Sequence, residues 1–326
     1  MSDALAAFGV DASKLKAQGV SYPATVSGRV CHIDADFISY QVACETRDEL
    51  DGIKPRRSFD HMKKQVVSIA EHHRKMTGSE SYVLYITPSG STKGNRDSKA
   101  VTKPYQGNRK DTPSPEFLHK LRAYMGEELG AVVCIDQEAD DALAQANYAA
   151  IAAGTPELAV LCSRDKDLNM VPGYYWCYRD EEVKHLDDTF GYIEWYQPEK
   201  KASAKNKPAK KLIGRGTKYF WAQCLMGDTV DNIAGLPEAF AYGKVNKVGG
   251  AAAYKFLEKC ETDRECYEVV RHLFRTSKHE WVHYATQQPT TWGEALLGDM
   301  HLLWMRRKPN ENDIIDFIQG VLTDEQ

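Results

Sequence analysis

Residues 131–162 read AVVCIDQEADDALAQANYAAIAAGTPELAVLC. Two short apolar runs, Ala131–Ile135 and Leu158–Cys162, bracket a stretch from about Ala139 to Ala152 dominated by alanine, the strongest helix former. Strand, helix and strand in so short a span predict an α/β arrangement with parallel strands. The first run ends in acids, Glu138, Asp140 and Asp141, at the start of the helix. In open α/β sheets, ligands bind outside the carboxyl ends of the strands, so the fold itself says where chemistry belongs.

The same grammar extends toward the N-terminus. Arg29-Val-Cys-His-Ile33 reads as a buried strand ending in Asp34, and Tyr82–Ile86 as another. A helix is expected from Ser58, its N-cap, to Met76, and another opening at Ser114-Pro115, with Ser as cap and Pro at the first helical position. Continuous apolar strands imply a sheet covered on both faces. Pro88–Thr112, rich in Gly, Ser, Asn and charge, reads as a loop. The aromatic alternation from Tyr174 to Tyr178 reads as strand packing. The expected organisation is a short leader (1–25), an α/β body (26–198), a mobile basic loop or linker (199–218) and a mostly helical region (219–326).

The length of 326 residues suits two such parts, and 42% hydrophobic with 27% charged residues is ordinary for a soluble globular chain. A net charge of −4 does not announce a nucleic-acid binder, yet Glu199–Lys218 holds eight Lys and Arg, Lys210, Lys211 and Arg215 among them, against one acid. The eight cysteines contain no C-x-x-C and read as reduced core thiols rather than zinc ligands or disulfides. No stretch has the length and apolarity to span a membrane, and the N-terminus lacks the apolar core of an export signal. A cytoplasmic protein without membrane partners is expected.

Acids recur after the first, third and fourth strands: Asp34 and Asp36; Glu138, Asp140 and Asp141; Asp165 and Asp167 in Ser-Arg-Asp-Lys-Asp-Leu. A fourth group, Asp228 and Asp231, lies in Met-Gly-Asp-Thr-Val-Asp-Asn-Ile, three residues apart as on one helical face. Any one group alone reads as helix capping or surface. Four groups together read as a metal centre, because assembled carboxylates repel and hard divalent cations relieve that repulsion. Mg²⁺ or Mn²⁺, two ions together, would suit phosphodiester hydrolysis.

Glu138-Ala-Asp-Asp141, Asp165-Lys-Asp167 and Gly227-Asp-Thr-Val-Asp-Asn-Ile-Ala-Gly-Leu-Pro237, in this order, resemble the flap-endonuclease superfamily of 5′-nucleases over about residues 29–260. Arg29–Tyr40, the region of Trp176 and the Leu-Leu-Trp-Met stretch near the C-terminus are most similar to the 5′→3′ exonucleases of short-tailed phages. The resemblance implies a PIN-like nuclease body with a mainly parallel sheet and a helix–three-turn–helix DNA-binding module. It implies Asp34, Glu138, Asp140 and Asp141 as first-metal ligands, Asp165 and Asp167 as shared ligands, and Asp228 and Asp231 as second-metal ligands. Asp36 reads equally as a supporting group beside the site or as a cap. Tyr105-Gln-Gly-Asn-Arg109-Lys110 corresponds to the family's Tyr-Lys-x-x-Arg segment, where Tyr105 would stack a base, Arg109, Lys110 and Lys103 would contact phosphates, and Gln106 would contact DNA as a hydrogen-bond donor. Lys247-Val-Gly-Gly-Ala-Ala-Ala253 resembles the Gly hairpin of helix–hairpin–helix modules, placing Lys247, Gly249 and Gly250 at the DNA backbone with a monovalent cation. It follows an unusually long insert, Glu238–Asn246.

The activity implied is metal-dependent 5′→3′ hydrolysis of DNA at duplex ends and flaps, and of RNA in RNA–DNA hybrids, in phage replication and recombination, in the host cytoplasm and beside phage replication proteins. Two positions depart from the family. Gln106 stands where a catalytic lysine is usual, and Thr87-Pro88 follows the second strand where a ligand Asp is usual. These departures sustain an alternative, a DNA-binding relative with weakened catalysis. A metal-dependent phosphatase acting on small molecules is a second alternative, which the basic segment and the Gly turn disfavour.

Overall fold

The structure, a computed structural model, describes residues 21–44, 58–109, 113–199, 208–241 and 244–323. Most of the expected leader, Lys110, and the lysines at 200, 201, 205 and 207 lie outside the described residues. In chain order the first elements are β1 (Val26–Asp34), α1 (Ala35–Ala43), α2 (Phe59–Met76), β2 (Ser79–Ile86), α3 (Arg96–Lys99), α4 (Leu118–Glu127), β3 (Val132–Val133), α5 (Ala139–Ala152), β4 (Ala159–Cys162), β5 (Gly173–Cys177) and β6 (Glu182–Leu186). There follow β7 (Tyr192–Tyr196), β8 (Lys211–Arg215), α6 (Thr217–Met226), β9 (Glu238–Ala241), β10 (Lys244–Lys247), α7 (Gly250–Leu257), α8 (Asp263–Thr276), α9 (Trp292–Leu303) and α10 (Asp313–Thr323). They divide between two compact units, one within Met1–Lys93, Pro113–Arg164 and Gly173–His185, the other within Gly94–Thr112, Asp165–Pro172 and Leu186–Gln326.

The first unit is built on a six-stranded sheet in the order β3-β2-β1-β4-β5-β6. The pairs β3–β2, β2–β1, β1–β4 and β4–β5 are all parallel, so the α/β architecture with a mainly parallel central sheet is as the sequence implies. Alternate side chains of the central strands, Cys31, Ile33, Leu84, Ile86, Val160 and Cys162, share a core with Ile38 and Val42 of α1, Val66 and Ile69 of α2, and Leu121 and Met125 of α4. Helix α5 packs against β1, β2, β4 and β5. Two-sided cover explains why these strands read as unbroken apolar runs. All eight cysteines are free, and seven of them are buried.

Three expectations change here. The chain enters α1 directly from β1, because Asp34 caps that helix, its carboxylate accepting from Phe37 N at 3.1 Å. The run Ala131–Ile135 yields only the two-residue β3 at the sheet edge, where Val132, Val133 and Ile135 are exposed. Ser114-Pro115 makes a turn, with Leu118 N donating to Pro115 O, and α4 begins only at Leu118. Ser58 does cap α2, accepting from His61 N.

In the second unit, β7 and β8 form an antiparallel ribbon. Much of the supposed basic loop is therefore ordered: Lys211–Arg215 is strand, since Leu212 and Gly214 supply a buried alternation. Lys218, expected at the loop's end, is buried in α6 and donates to the carbonyls of Glu258 and Cys260 just beyond α7. The long insert contributes the antiparallel pair β9–β10. The core of this unit is aromatic: the Phe220 ring packs on Trp221 and Trp304, and Phe317 stacks on Trp304. The indoles of Trp221 and Trp304 donate to Asp263 and Asp313, both at 2.7 Å, so each buried N–H has an acceptor.

Candidate metal centre

The loop that leaves α6 is closed by a two-residue bridge. Asp228 N donates to Ile233 O at 2.9 Å and Ile233 N returns to Asp228 O at 2.7 Å. Two glycines allow the closure. Gly227 and Gly235 both have φ near the left-handed helical value, +69° and +63°. A Cβ on Gly227 would stand 2.5 Å from the carbonyl oxygens of Ile233 and Ala234, and one on Gly235 would stand 2.2 Å from Gly227 N. Gly235 N is held from below by Asp299 of α9, at 2.9 Å.

This closure carries Asp228 and Asp231, and the turn after Asp165 brings Asp167 to them. One carboxylate oxygen from each of Asp167, Asp228 and Asp231 lies within 4.8 Å of the others, with exposures of only 4%, 2% and 7%. Lys166 Nζ pairs with Asp228 Oδ2 at 2.6 Å, and Asp228 Oδ1 accepts from Val230 N at 2.8 Å. Gln223 donates to Asp167 Oδ1. Arg109 and Gln106 both donate to Asp231 Oδ1, Gln106 at 3.1 Å. Burial pushes Asp167 well above the ordinary carboxylate range, with the charge of Asp165 adding to it. Asp165 is raised by burial as well, and by Asp231 and Asp228, while its Oδ1 accepts from Asp167 N at 2.9 Å. An all-oxygen set of three buried, closely spaced carboxylates fits a hard divalent cation.

The acids of the sheet unit are arranged differently. Asp34 accepts from Ser163 Oγ at 2.8 Å besides capping α1. Asp36 is tied down: both its oxygens accept from Thr87 N at 3.1 Å, and Arg122 pairs with it at 2.9 Å. Burial raises its pKa and Arg122 opposes the rise. Thr87, at the position where a ligand acid was expected, accepts from Ala139 N through its hydroxyl at 2.9 Å, so it serves the start of α5. Glu138 is the N-cap residue of α5 without a capping side-chain bond, and Asp140 and Asp141 follow in the first turn. Asp36, Asp141 and Asp140 all face the Cys134 thiol closely enough to help raise it, after burial, to about 12. Among the described residues, though, only Asp167, Asp228 and Asp231 form a group of three or more such ligands with atoms within 4.8 Å of one another.

Of the other residues singled out, Lys103, Arg109, Lys210, Lys211 and Lys247 are exposed and Arg215 is half-buried. Tyr105 is buried, 6% exposed, so stacking a base on its ring would require the segment to open. Gly249 is extended and caps α7, a conformation any residue adopts, and Gly250 begins the helix. Sequence reasoning did not find Lys166, Gln223 or Asp299 as parts of this site. Lys166 stands between two singled-out acids, whereas Gln223 and Asp299 carry no local signal.

No protein-family model matches the chain, and no curated protein matches it. Solved structures do resemble it. The bacteriophage T5 flap endonuclease, in a pseudo-enzyme–product complex with DNA and metal ions, is 13% identical with a TM-score of 0.49, over 91% of this chain and 100% of that one. The T5 5′-exonuclease with zinc bound is 12% identical with a TM-score of 0.46, over 91% and 99%. A likeness at this level says nothing of chemistry.

Proposed function

We propose that the protein is a divalent-metal-dependent 5′→3′ nuclease that hydrolyses phosphodiester bonds of DNA. The observation that carries this reading is the buried Asp167–Asp228–Asp231 set, one oxygen of each carboxylate lying within 4.8 Å of the others. In this reading Asp228, Asp231 and Asp167, with Asp165, hold one Mg²⁺ or Mn²⁺, and Asp34, Glu138, Asp140 and Asp141 hold another. Such ions, when bound, activate water and stabilise the leaving oxygen. Arg109 and Lys110 neutralise phosphate charge, and Tyr105 stacks a terminal base once its segment opens. The exposed cations Lys103, Lys210, Lys211 and Lys247, with Arg215, grip the backbone. The amides of Gly249 and Gly250 approach a phosphate, with a monovalent cation in the same turn. Polarity, flap cleavage, action on RNA–DNA hybrids and a place in phage replication, with phage replication proteins as partners in the host cytoplasm, rest on the motif resemblance.

The test is product analysis from 5′-labelled blunt, flapped and gapped duplexes with Mg²⁺. Labelled short products that vanish with EDTA support the proposal; shortening from the 3′ end alone, or no cleavage, contradicts it. The second reading, a DNA-binding relative with weakened catalysis, is favoured by Thr87 capping α5 where an acid was expected. Retained duplex binding without cleavage would select it.

A further inference from the structure

Gln106 lies 125 residues from Asp231 in the chain and meets it twice. Its backbone N donates to Asp231 O at 2.9 Å and its side-chain Nε2 donates to Asp231 Oδ1 at 3.1 Å. The neighbours interlock in both directions: Asn108 Nδ2 donates to Thr229 O at 2.9 Å, and Asn232 Nδ2 donates back to Pro104 O at 2.8 Å. Gln106 and Asn232 both hold φ in the left-handed region, +50° and +60°, a conformation costly for side-chain-bearing residues that these bonds sustain. We propose that Gln106 is a positioning residue that fixes the Asp231 carboxylate for a divalent cation, and is not a contact to nucleic acid. This rests on reading Asp231 as a metal ligand.

The chemistry favours an amide here. Both side-chain bonds to Asp231, from Gln106 and Arg109, fall on Oδ1, leaving Oδ2 as the oxygen available to an ion. Arg109 already sets one positive charge against Asp231, and a neutral amide orients the carboxylate without adding a second. An ammonium in the same place would compete with the ion for that charge, which gives a physical reason for glutamine where a cation was expected.

The test uses the full-length protein, with Mn²⁺ titrated calorimetrically in the absence of DNA and binding to a 5′-flapped duplex measured separately in EDTA. The relevant Mn²⁺ site is the one that Asp231→Asn removes. Gln106→Met, which keeps the shape and loses the N–H, should weaken that site by about tenfold, the usual effect of removing a group that orients a metal ligand. Gln106→Lys should weaken it at least as much, and DNA affinity in EDTA should be unchanged in Gln106→Met. Unchanged Mn²⁺ affinity in the Lys variant, or in a folded Met variant, overturns the proposal. So does a loss of DNA affinity in Gln106→Met with Mn²⁺ affinity intact. A wild-type protein that binds no Mn²⁺ overturns the metal-site reading itself, and this proposal with it.

Discussion

At the scale of single residues, the site is governed by how carboxylates are desolvated and what they accept from. Asp299 lies on α9, away from the acid set, yet its carboxylate receives Gly235 N and the Thr102 hydroxyl and so ties the Gly227–Pro237 loop to the segment carrying Gln106 and Arg109. Burial raises it from the ordinary 3.8 to about 7, against the opposing pull of Gly235, Thr102 and Lys103. Because its folded pKa is higher than its unfolded one, Asp299 contributes stability that is full below about pH 4 and is lost as pH rises through about 7. Denaturant unfolding should therefore show wild type losing stability, relative to Asp299→Asn, by on the order of a few kcal/mol between these limits. Parallel pH profiles for the two proteins would contradict the assignment. Asp231→Ala and Asp167→Ala should each abolish Mg²⁺-dependent cleavage while leaving duplex binding measurable in EDTA; wild-type rates in either would show that these acids are not ligands.

At the scale of elements, local chemistry decided what the sequence could reveal. Helix α5 runs from Ala139 to Ala152 as read, because an alanine-rich stretch needs no tertiary help to be recognised. The strand before it was overextended, since whether Ala131–Ile135 pairs along its length depends on a neighbour that only two of its residues meet. Helix α1 is not legible in the sequence because Asp34 suits the end of a strand and a candidate ligand, whereas its carboxylate also caps a helix. Thr87 shows the same ambiguity, a missing acid in the sequence and a helix-capping hydroxyl in the structure. Thr87→Ala should cost about 1 kcal/mol of stability by leaving Ala139 N without its acceptor, measurable by chemical unfolding. The Asp228–Ile233 closure should be less tolerant. Gly235→Ala forces a Cβ onto Gly227 N and a positive φ onto alanine, and should destabilise the protein and lose the Mn²⁺ site removed by Asp231→Asn. A Gly235→Ala protein with wild-type melting and metal binding would mean the closure is not needed.

At the scale of the whole molecule, the parallel sheet was visible in the rhythm of apolar runs, and the acids were visible as a recurring set. Which acids stand together was not visible. The clasp of Pro104–Arg109 onto Asp228–Asn232 joins parts more than a hundred residues apart, and no local pattern encodes it. The net charge of −4 likewise hid exposed cations, because buried carboxylates such as Asp167 and Asp228 enter the total without facing solvent. If those cations hold DNA, affinity must fall steeply as salt rises, through counterion release; salt-independent binding would remove the backbone grip from the account. The proposed activity is metal-dependent cleavage of DNA from its 5′ end, with Asp140 and Asp228 each proposed as a metal ligand. Its most direct test is Mg²⁺-dependent nucleotide release from a 5′-labelled duplex by wild type, Asp140→Ala and Asp228→Ala, at DNA concentrations that saturate each protein. Release by the wild type and its loss in both variants, with DNA still bound, is the expected result. Release at the wild-type rate by either variant would contradict it.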